Sequence, residues 1–263
     1  MSIDFSKPSV ARMYDYFLGG SDNYAVDREA CEALLRMAPS TRELSLINRA
    51  FLVRAVRYLA GQHGVRRFID IGSGLPTSPN VHEVAQEVDP RARVVYVDSD
   101  PIVLAHAGAM LARNPETTAV INADMRDRDA LFGHEAVGRL LSGGEPVAVL
   151  LVSVLHCLKD EDDPWGLVRD VVNRLPRGSF LVVSQLASKD PQLRQEISDF
   201  MQQSTGDWGR VRSFDEVARY FEGLTLLEAE APVEVSTWNP DTELGPRQAQ
   251  QEWIELGGVA RIG

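Results

Sequence analysis

Phe68-Ile69-Asp70-Ile71-Gly72-Ser73-Gly74 sets a carboxylate two residues ahead of a Gly-x-Gly turn, at the end of a short apolar run. Glycines in such a turn let the backbone bend sharply and lie close against a ligand. Two features steer the chemistry away from a dinucleotide. That fingerprint wants a third glycine at position 77, where this chain has Thr77. Asp70 also brings negative charge to a place where a helix N-terminus would otherwise favour phosphate. A ligand bearing an ammonium and a sulfonium suits such a turn better.

Two further carboxylates extend the pattern. Asp98 closes Val94-Val95-Tyr96-Val97-Asp98, on the order of 20 residues beyond the glycines, where an acidic side chain can accept from both hydroxyls of a ribose. Its neighbour Asp100 precedes Pro101 and reads as a helix cap. Asp124, in Asn122-Ala123-Asp124-Met125, follows the next apolar run, where the loop would border an adenine ring and its exocyclic amine. Ligands of open α/β sheets bind at the carboxyl ends of the strands, so carboxylates at three successive strand ends form one set.

The elements that must hold these residues alternate from residue 65 onward. Arg67 to Ile71, Arg93 to Asp98, Thr118 to Asn122, Val147 to Val152 and Ser179 to Ser184 are short and rich in Val, Ile and Leu, as parallel strands buried on both faces should be. Asp100-Pro101, Asp163-Pro164 and Asp190-Pro191 each open a helix with an acidic cap and a first-turn proline. Ser213 and Glu216 have capping-box spacing ahead of one more. Leu224 to Ala229 and Trp253 to Ile262 are strand-like, with a polar loop between them, and they predict a closing hairpin-like pair. The sum is an α/β fold, a doubly wound, mostly parallel, seven-stranded sheet. Residues 1–64 read instead as helices: Ser9 to Leu18 ahead of Gly19-Gly20, a stripe of Val26, Ala30, Ala33, Leu34 and Met37 stopped by Pro39, and a stripe from Leu44 to Leu59 closed by Gly61 and Gly64. This N-terminal helical cap or lid precedes a Rossmann-like domain over 65–263.

Composition narrows the partners. A net charge of -11 over 263 residues argues against general nucleic-acid binding, which needs clustered Lys and Arg. No apolar run approaches the ~20 residues of a membrane span, and the N-terminus lacks a signal-peptide pattern. Cys31 and Cys157 are far apart, without metal-ligand spacing, so the expectation is a cytoplasmic protein with reduced thiols and no metal site.

Asp70-x-Gly72-x-Gly74, Asp98, Asp124 and Leu155-His156 together resemble the motifs of class I methyltransferases. More closely, Gly72-Ser-Gly-Leu-Pro-Thr77 with Asn80-Val-His-Glu-Val-Ala-Gln86 resembles an actinomycete family of S-adenosylmethionine-dependent methyltransferases of unassigned substrate. Tyr14-Asp-Tyr-Phe-Leu-Gly-Gly20, Asn23, Asp27-Arg28, Asn48-Arg-Ala-Phe-Leu52 and Gly257-Gly-Val-Ala-Arg261 look like the same family, so the likeness covers nearly the whole chain. It implies the fold and the cofactor and supplies no reaction partner. One departure from the class I pattern is Pro76, where many such enzymes have a third glycine.

The candidate cofactor-binding set is Asp70, Gly72, Ser73, Gly74, Asp98, Ser99, Asp124, Met125 and Ser153. Methyl transfer from a sulfonium is a displacement, so positioning does much of the work, and a hydroxyl or ammonium acceptor also needs a base. His156, beyond the fourth strand, is the candidate base. Asn80 and His82 are candidate contacts to cofactor or acceptor, and Trp208 and Trp238 candidate stacking surfaces. Tyr14, Tyr16, Asn23 and Arg28, attached to a Gly19-Gly20 hinge, are the polar face of the candidate lid. The reading is methyl transfer to a small-molecule acceptor bound between the N-terminal helices and the loops after strands four and five. Its rival is a non-catalytic S-adenosylmethionine-binding sensor or partner module.

Overall fold

A computed structural model of the chain describes residues 5–111, 115–240 and 252–263. Five parallel strands form its centre: β1 (Arg67–Ile71), β2 (Arg93–Asp98), β3 (Thr118–Asn122), β4 (Ala148–Val152) and β5 (Phe180–Ala187). Three more complete the sheet: β6 (Thr225–Leu227), β7 (Val233–Glu234) and β8 (Ile254–Arg261). The order is β3-β2-β1-β4-β5-β8-β6, and β8 runs antiparallel between β5 and β6. The strand order reverses between β1 and β4, which opens a crevice at the carboxyl ends there.

Side chains along each central strand divide by the period of two. Ile69, Ile71, Val95, Val97, Val149, Leu151, Leu181 and Val183 enter one buried layer, and Phe68, Val94, Tyr96, Ala148, Leu150, Phe180 and Val182 enter the other. Both faces are covered, which is why these strands read as continuous apolar runs.

The helices are α1 (Val10–Phe17), α2 (Ala25–Met37), α3 (Thr41–Gln62), α4 (Val81–Val88), α5 (Pro101–Leu111), α6 (Arg128–Gly133), α7 (Glu135–Leu141), α8 (Pro164–Arg174), α9 (Pro191–Thr205) and α10 (Phe214–Ala218). Asp163 and Asp190 accept first-turn amides of α8 and α9, and Ser213 with Glu216 forms the capping box of α10, as their spacing predicts. The sheet has eight strands where seven are predicted. The extra one, β7, is two residues long and lies in the stretch read as a polar loop; it pairs with Leu256 and Gly257 of β8. Two residues show no alternation for a sequence pattern to detect. α6 and α7 also carry no sequence prediction; both are short, and His134 separates them.

The N-terminal helices are fastened by a buried ion pair. Arg12 Nε lies 2.7 Å from Asp27 Oδ2, and neither side chain reaches solvent. Asp27 also accepts the amides of Ser9 and Tyr24, both at 2.9 Å, and Arg12 donates to the Lys7 carbonyl at 2.6 Å. Gly19, at φ +81°, turns the chain after α1, and a Cβ on Gly20 would run into the Asp15 carboxylate. Asp15 in turn accepts from the Asp22 amide at 2.9 Å and from Asn23 Nδ2 at 2.8 Å, so the Gly19-Gly20 turn is tied down.

Removing one partner of a buried pair strands the other charge. Asp27→Ala is therefore expected to cost about 3–5 kcal/mol of stability, measured by chemical denaturation. An exposed pair such as Arg57–Glu87 should contribute about 1 kcal/mol or less in the same assay.

Candidate active site

A cavity of about 360 Å³ runs along the carboxyl edge of the sheet. One end is the glycine loop with the loops after β2 and β3; the other is the corner of β5, β8 and α9, and residues of α1 and α3 line it as well.

At the first end, Gly72 has φ +72° and a Cβ there would collide with Val154, so the loop presents bare backbone. The amides of Gly72 and Ser73 donate to the Val97 carbonyl at 2.8 and 3.2 Å, and the Gly74 amide donates to Asp98 Oδ2 at 2.8 Å. The other Asp98 oxygen accepts the Asp100 amide at 2.9 Å. Burial raises the Asp98 carboxyl above its ordinary range, and those amides offset only part of that. Asp70 is buried and pushed up to about 7, first by desolvation and further by Asp98, against the pull of Arg49. Arg49, from α3, spends its guanidinium on the Thr77 and Pro79 carbonyls, and its Nε has no protein partner. The helix after the loop starts only at Val81, beyond Pro76 and Pro79, so the turn is braced by Arg49 as well as by a helix start. Asp100 Oδ1 accepts the Ile102 amide at 2.9 Å, as a cap does. Asp124 is chelated by Arg126, with Nη2–Oδ2 at 2.7 Å; burial works to raise its pKa, and the Arg126 bonds outweigh that and lower it.

At the far end, Ser153 holds the left-handed backbone, φ 55°, a conformation that costs of order 1 kcal/mol or more outside glycine. Its amide donates to Ser184 Oγ at 2.9 Å and its hydroxyl to Glu255 Oε1 at 2.5 Å. Ser184 Oγ donates to Asn48 Oδ1 at 2.7 Å, Asn48 Nδ2 to Tyr14 OH at 2.9 Å, and Tyr14 OH to the Ser45 carbonyl at 3.2 Å. Glu255 is 2% exposed, and Oε2 has no partner in the protein. Desolvation pushes its carboxyl up to about 8, with Ser153 and Ser184 drawing it partly back. His156 is equally buried; desolvation and then Arg212 lower it to about 3, so the imidazole stays neutral. Its ring lies 4.8 Å from that of Trp208.

Asp70, Gly72, Ser73, Gly74, Asp98, Ser99, Asp124, Met125, Ser153, His156 and Tyr14 thus share the walls of one cavity. Asn80 and His82 face a small recess behind the glycine loop, where Asn80 bonds to Glu83 and His82 to the Tyr96 hydroxyl. Tyr16, Asn23 and Arg28 lie outside the cavity walls. Tyr16 donates to Glu32 and stacks under Arg42, while Asn23 is held by Asp15 and itself holds Arg28. One helical turn decides this: Met13, Tyr14 and Phe17 share the inner face of α1, and Tyr16 does not. Trp208 lines the cavity; Trp238 does not, being packed against Phe51 and Tyr58 with its indole donating to the Leu227 carbonyl at 3.0 Å. Asn48, Arg49, Ser184 and Glu255 carry no sequence assignment to the site. A signal for the last existed, a lone carboxylate inside the apolar run from Trp253 to Ile262.

Residues 1–263 match the family described as S-adenosyl methyltransferase. The chain belongs to that family. It is thereby a methyltransferase with S-adenosylmethionine as its cofactor. A DUF574-family protein from Streptomyces avermitilis is 38% identical with a TM-score of 0.93, each chain covered over 100% of its length. A methyltransferase candidate from Thermobifida fusca is 39% identical with a TM-score of 0.89, over 98% of this chain and 96% of the other. An O-methyltransferase family protein from Burkholderia thailandensis, 16% identical with a TM-score of 0.50 over 86% of this chain and 61% of its own, shares the fold. A stretch of 99 residues is 30% identical to the HisH subunit of imidazole glycerol phosphate synthase from Corynebacterium glutamicum. It spans less than half of either protein, 38% of this chain and 43% of the other. Among the described residues no helix of this methyltransferase is long and apolar enough to cross a membrane, and no cluster could hold a metal ion.

Native Glu255 keeps its proton to higher pH than an unfolded glutamate. Folding therefore takes up a proton, and burial of this group costs stability as pH rises from 4.5 to about 8. Glu255→Gln should accordingly gain little or nothing in Tm near pH 4.5 and progressively more up to about pH 8, with a plateau above. Thermal melts across that window check it.

Proposed function

We propose that the chain methylates a small-molecule acceptor, with the cofactor held by the loops after β1, β2 and β3 and the acceptor by the corner of β5, β8 and α1. The observation that carries this is one continuous cavity whose walls divide chemically. The half next to β1–β3 is lined by carboxylates, and the half next to β5 and β8 is lined chiefly by Met13, Phe17, Leu34, Leu186, Met201 and Trp208.

The residues fit the cofactor on electrostatic grounds. The cationic side chains in the cavity walls are Arg49 and Arg126, the first bonded to carbonyls and the second to Asp124. Even without Asp70 and Glu255, which burial pushes up to about 7 and about 8, the carboxylates Asp98, Asp100, Asp124 and Asp207 outnumber them, so the cavity favours a ligand with net positive charge. Bare backbone at Gly72 and Gly74 admits close approach, Asp98 would accept from ribose hydroxyls, and Asp70 would face the ammonium end. When bound, S-adenosylmethionine supplies a methyl group on a sulfonium. The chain's own contribution is to orient the acceptor, exclude water and hold the proton released. Burial beside Arg212 keeps His156 neutral, so its role would be to orient, by accepting a hydrogen bond or by stacking, rather than to take up a proton.

Calorimetry should show S-adenosylmethionine and S-adenosylhomocysteine binding at micromolar affinity, about -8 kcal/mol. Binding of a nicotinamide dinucleotide in their place would overturn the reading. Asp98→Ala should weaken binding by roughly 1.5–3 kcal/mol per charge-assisted bond lost. Asp100→Ala should remove a helix cap worth about 1 kcal/mol of stability and weaken binding less than Asp98→Ala does. Binding should also slow hydrogen exchange over residues 9–17, which roof the site, more than over α2; equal protection of both would reduce the N-terminal segment to packing.

A further inference from the structure

The carboxylates along the cavity do not form one set. Asp70 and Asp98 stand at the carboxyl ends of β1 and β2 and Asp124 just beyond β3; Asp100 caps a helix; Asp207 is mostly exposed and lies 3.5 Å from Arg126. Among the described residues, Glu255 is the one cavity carboxylate on the other half of the sheet, on β8, paired across the ladder with Leu186 of β5. Because β8 is antiparallel to β5, its first residues lie at the carboxyl edge, the same edge as the glycine loop.

The surroundings of Glu255 are apolar. Trp253, just ahead of β8, joins Met13, Phe17, Leu34, Leu186 and Met201 in one packed cluster that walls this end of the cavity. One carboxyl oxygen is accounted for by Ser153, at the expense of a left-handed backbone, and Ser184 and Asn48 continue the bonding to Tyr14. The other oxygen is buried without a protein partner. An acidic oxygen left so is costly to stability, and packing gains nothing from it. The arrangement does make sense for a group that must meet a donor brought in from outside.

We propose that Glu255 is the specificity-determining residue of the acceptor site, and that the acceptor is a largely apolar molecule whose hydroxyl or amine donates to Glu255 Oε2. This rests on the cofactor lying at the β1–β3 end. During transfer the acceptor's oxygen or nitrogen gains the bond to the methyl carbon, the sulfur keeps the electron pair of the bond that breaks, and Glu255 takes the acceptor's proton. With Glu255 ionised, acceptors that offer only lone pairs, and anionic ones, are disfavoured: an ether has nothing to donate, and a carboxylate meets like charge.

The test uses the full chain saturated with S-adenosylhomocysteine at about pH 9, where Glu255 has lost its proton, and four fragments, benzylamine, phenol, anisole and benzoate, followed by ligand-observed NMR and calorimetry. Benzylamine and phenol are expected to bind at least tenfold more tightly than anisole and benzoate. Glu255→Gln, which keeps the shape and can still accept from Ser153, should lose at least tenfold for benzylamine with anisole unchanged. Glu255→Met should abolish the ranking altogether. In both variants S-adenosylhomocysteine affinity, measured first, reports that the fold and the cofactor end are intact. A ranking that survives both substitutions overturns the proposal, as does benzoate binding best or no fragment binding to the cofactor-loaded protein. If the unaltered chain fails to bind S-adenosylhomocysteine at all, the cofactor assignment itself falls and this proposal with it, an outcome distinct from the others.

Discussion

Asp98 accepts the amides of Gly74 and Asp100 with its two carboxyl oxygens, and through that one group the loops after β1 and β2 become a single edge. The bonding continues outward. Asp100 accepts from the Ser9 hydroxyl at 2.9 Å, the Ser9 amide donates to Asp27, and Asp27 holds Arg12. A line of hydrogen bonds thus joins the glycine loop to the ion pair that fastens the N-terminal helices. Ala11 adds an apolar contact with Leu75, Ile102 and Val103 along the same seam. The placement of α1 over the cavity is therefore fixed by the same carboxylate that organises the glycine loop, and α1 and the floor of the site are set together.

The two ends of the cavity use desolvation differently. Near β1–β3, burial raises Asp70 and Asp98, yet backbone amides and Arg49 restrain the rise and favour the charged form. Near β5–β8, Glu255 has only hydroxyls for partners and no cation beside it, so desolvation dominates and the group titrates near 8. His156 shows the same physics with opposite sign: the charged form is the one burial removes. A histidine has the better intrinsic pKa for general-base work, but this environment shifts the advantage to the glutamate.

Much of this was legible in the chain because it rests on local rules. Apolar runs bounded by glycine and proline gave the bounds of β1, β2 and β3 to the residue, and the Asp-Pro pairs gave the starts of α5, α8 and α9. The carboxylates at the carboxyl ends of β1, β2 and β3 are picked out by the rule that ligands of open sheets sit there. What stayed hidden depends on tertiary placement. Asn48 and Arg49 sit in a helix whose stripe reads as core, and only the packing of α3 turns them toward Ser184 and the glycine loop. Tyr14 and Tyr16 are near-identical in sequence context, yet one faces the cavity and the other Glu32, because residues two apart lie on nearly opposite sides of a helix. Trp208 and Trp238 read alike as loop aromatics and end up as cavity wall and buried core respectively.

β8 is the last strand in the chain order, but it is not an edge strand: it lies between β5 and β6. Until it arrives, β5 exposes its backbone donors and acceptors along eight residues, the kind of open edge that recruits other chains. Closing the sheet also needs contacts between distant parts of the sequence, a slow event in folding. During synthesis the glycine loop and its neighbouring strands can assemble while the corner bearing Glu255 does not yet exist. The half-made sheet is thus the species most at risk of aggregation, and the half of the cavity next to β1–β3 can form before the half that carries Glu255.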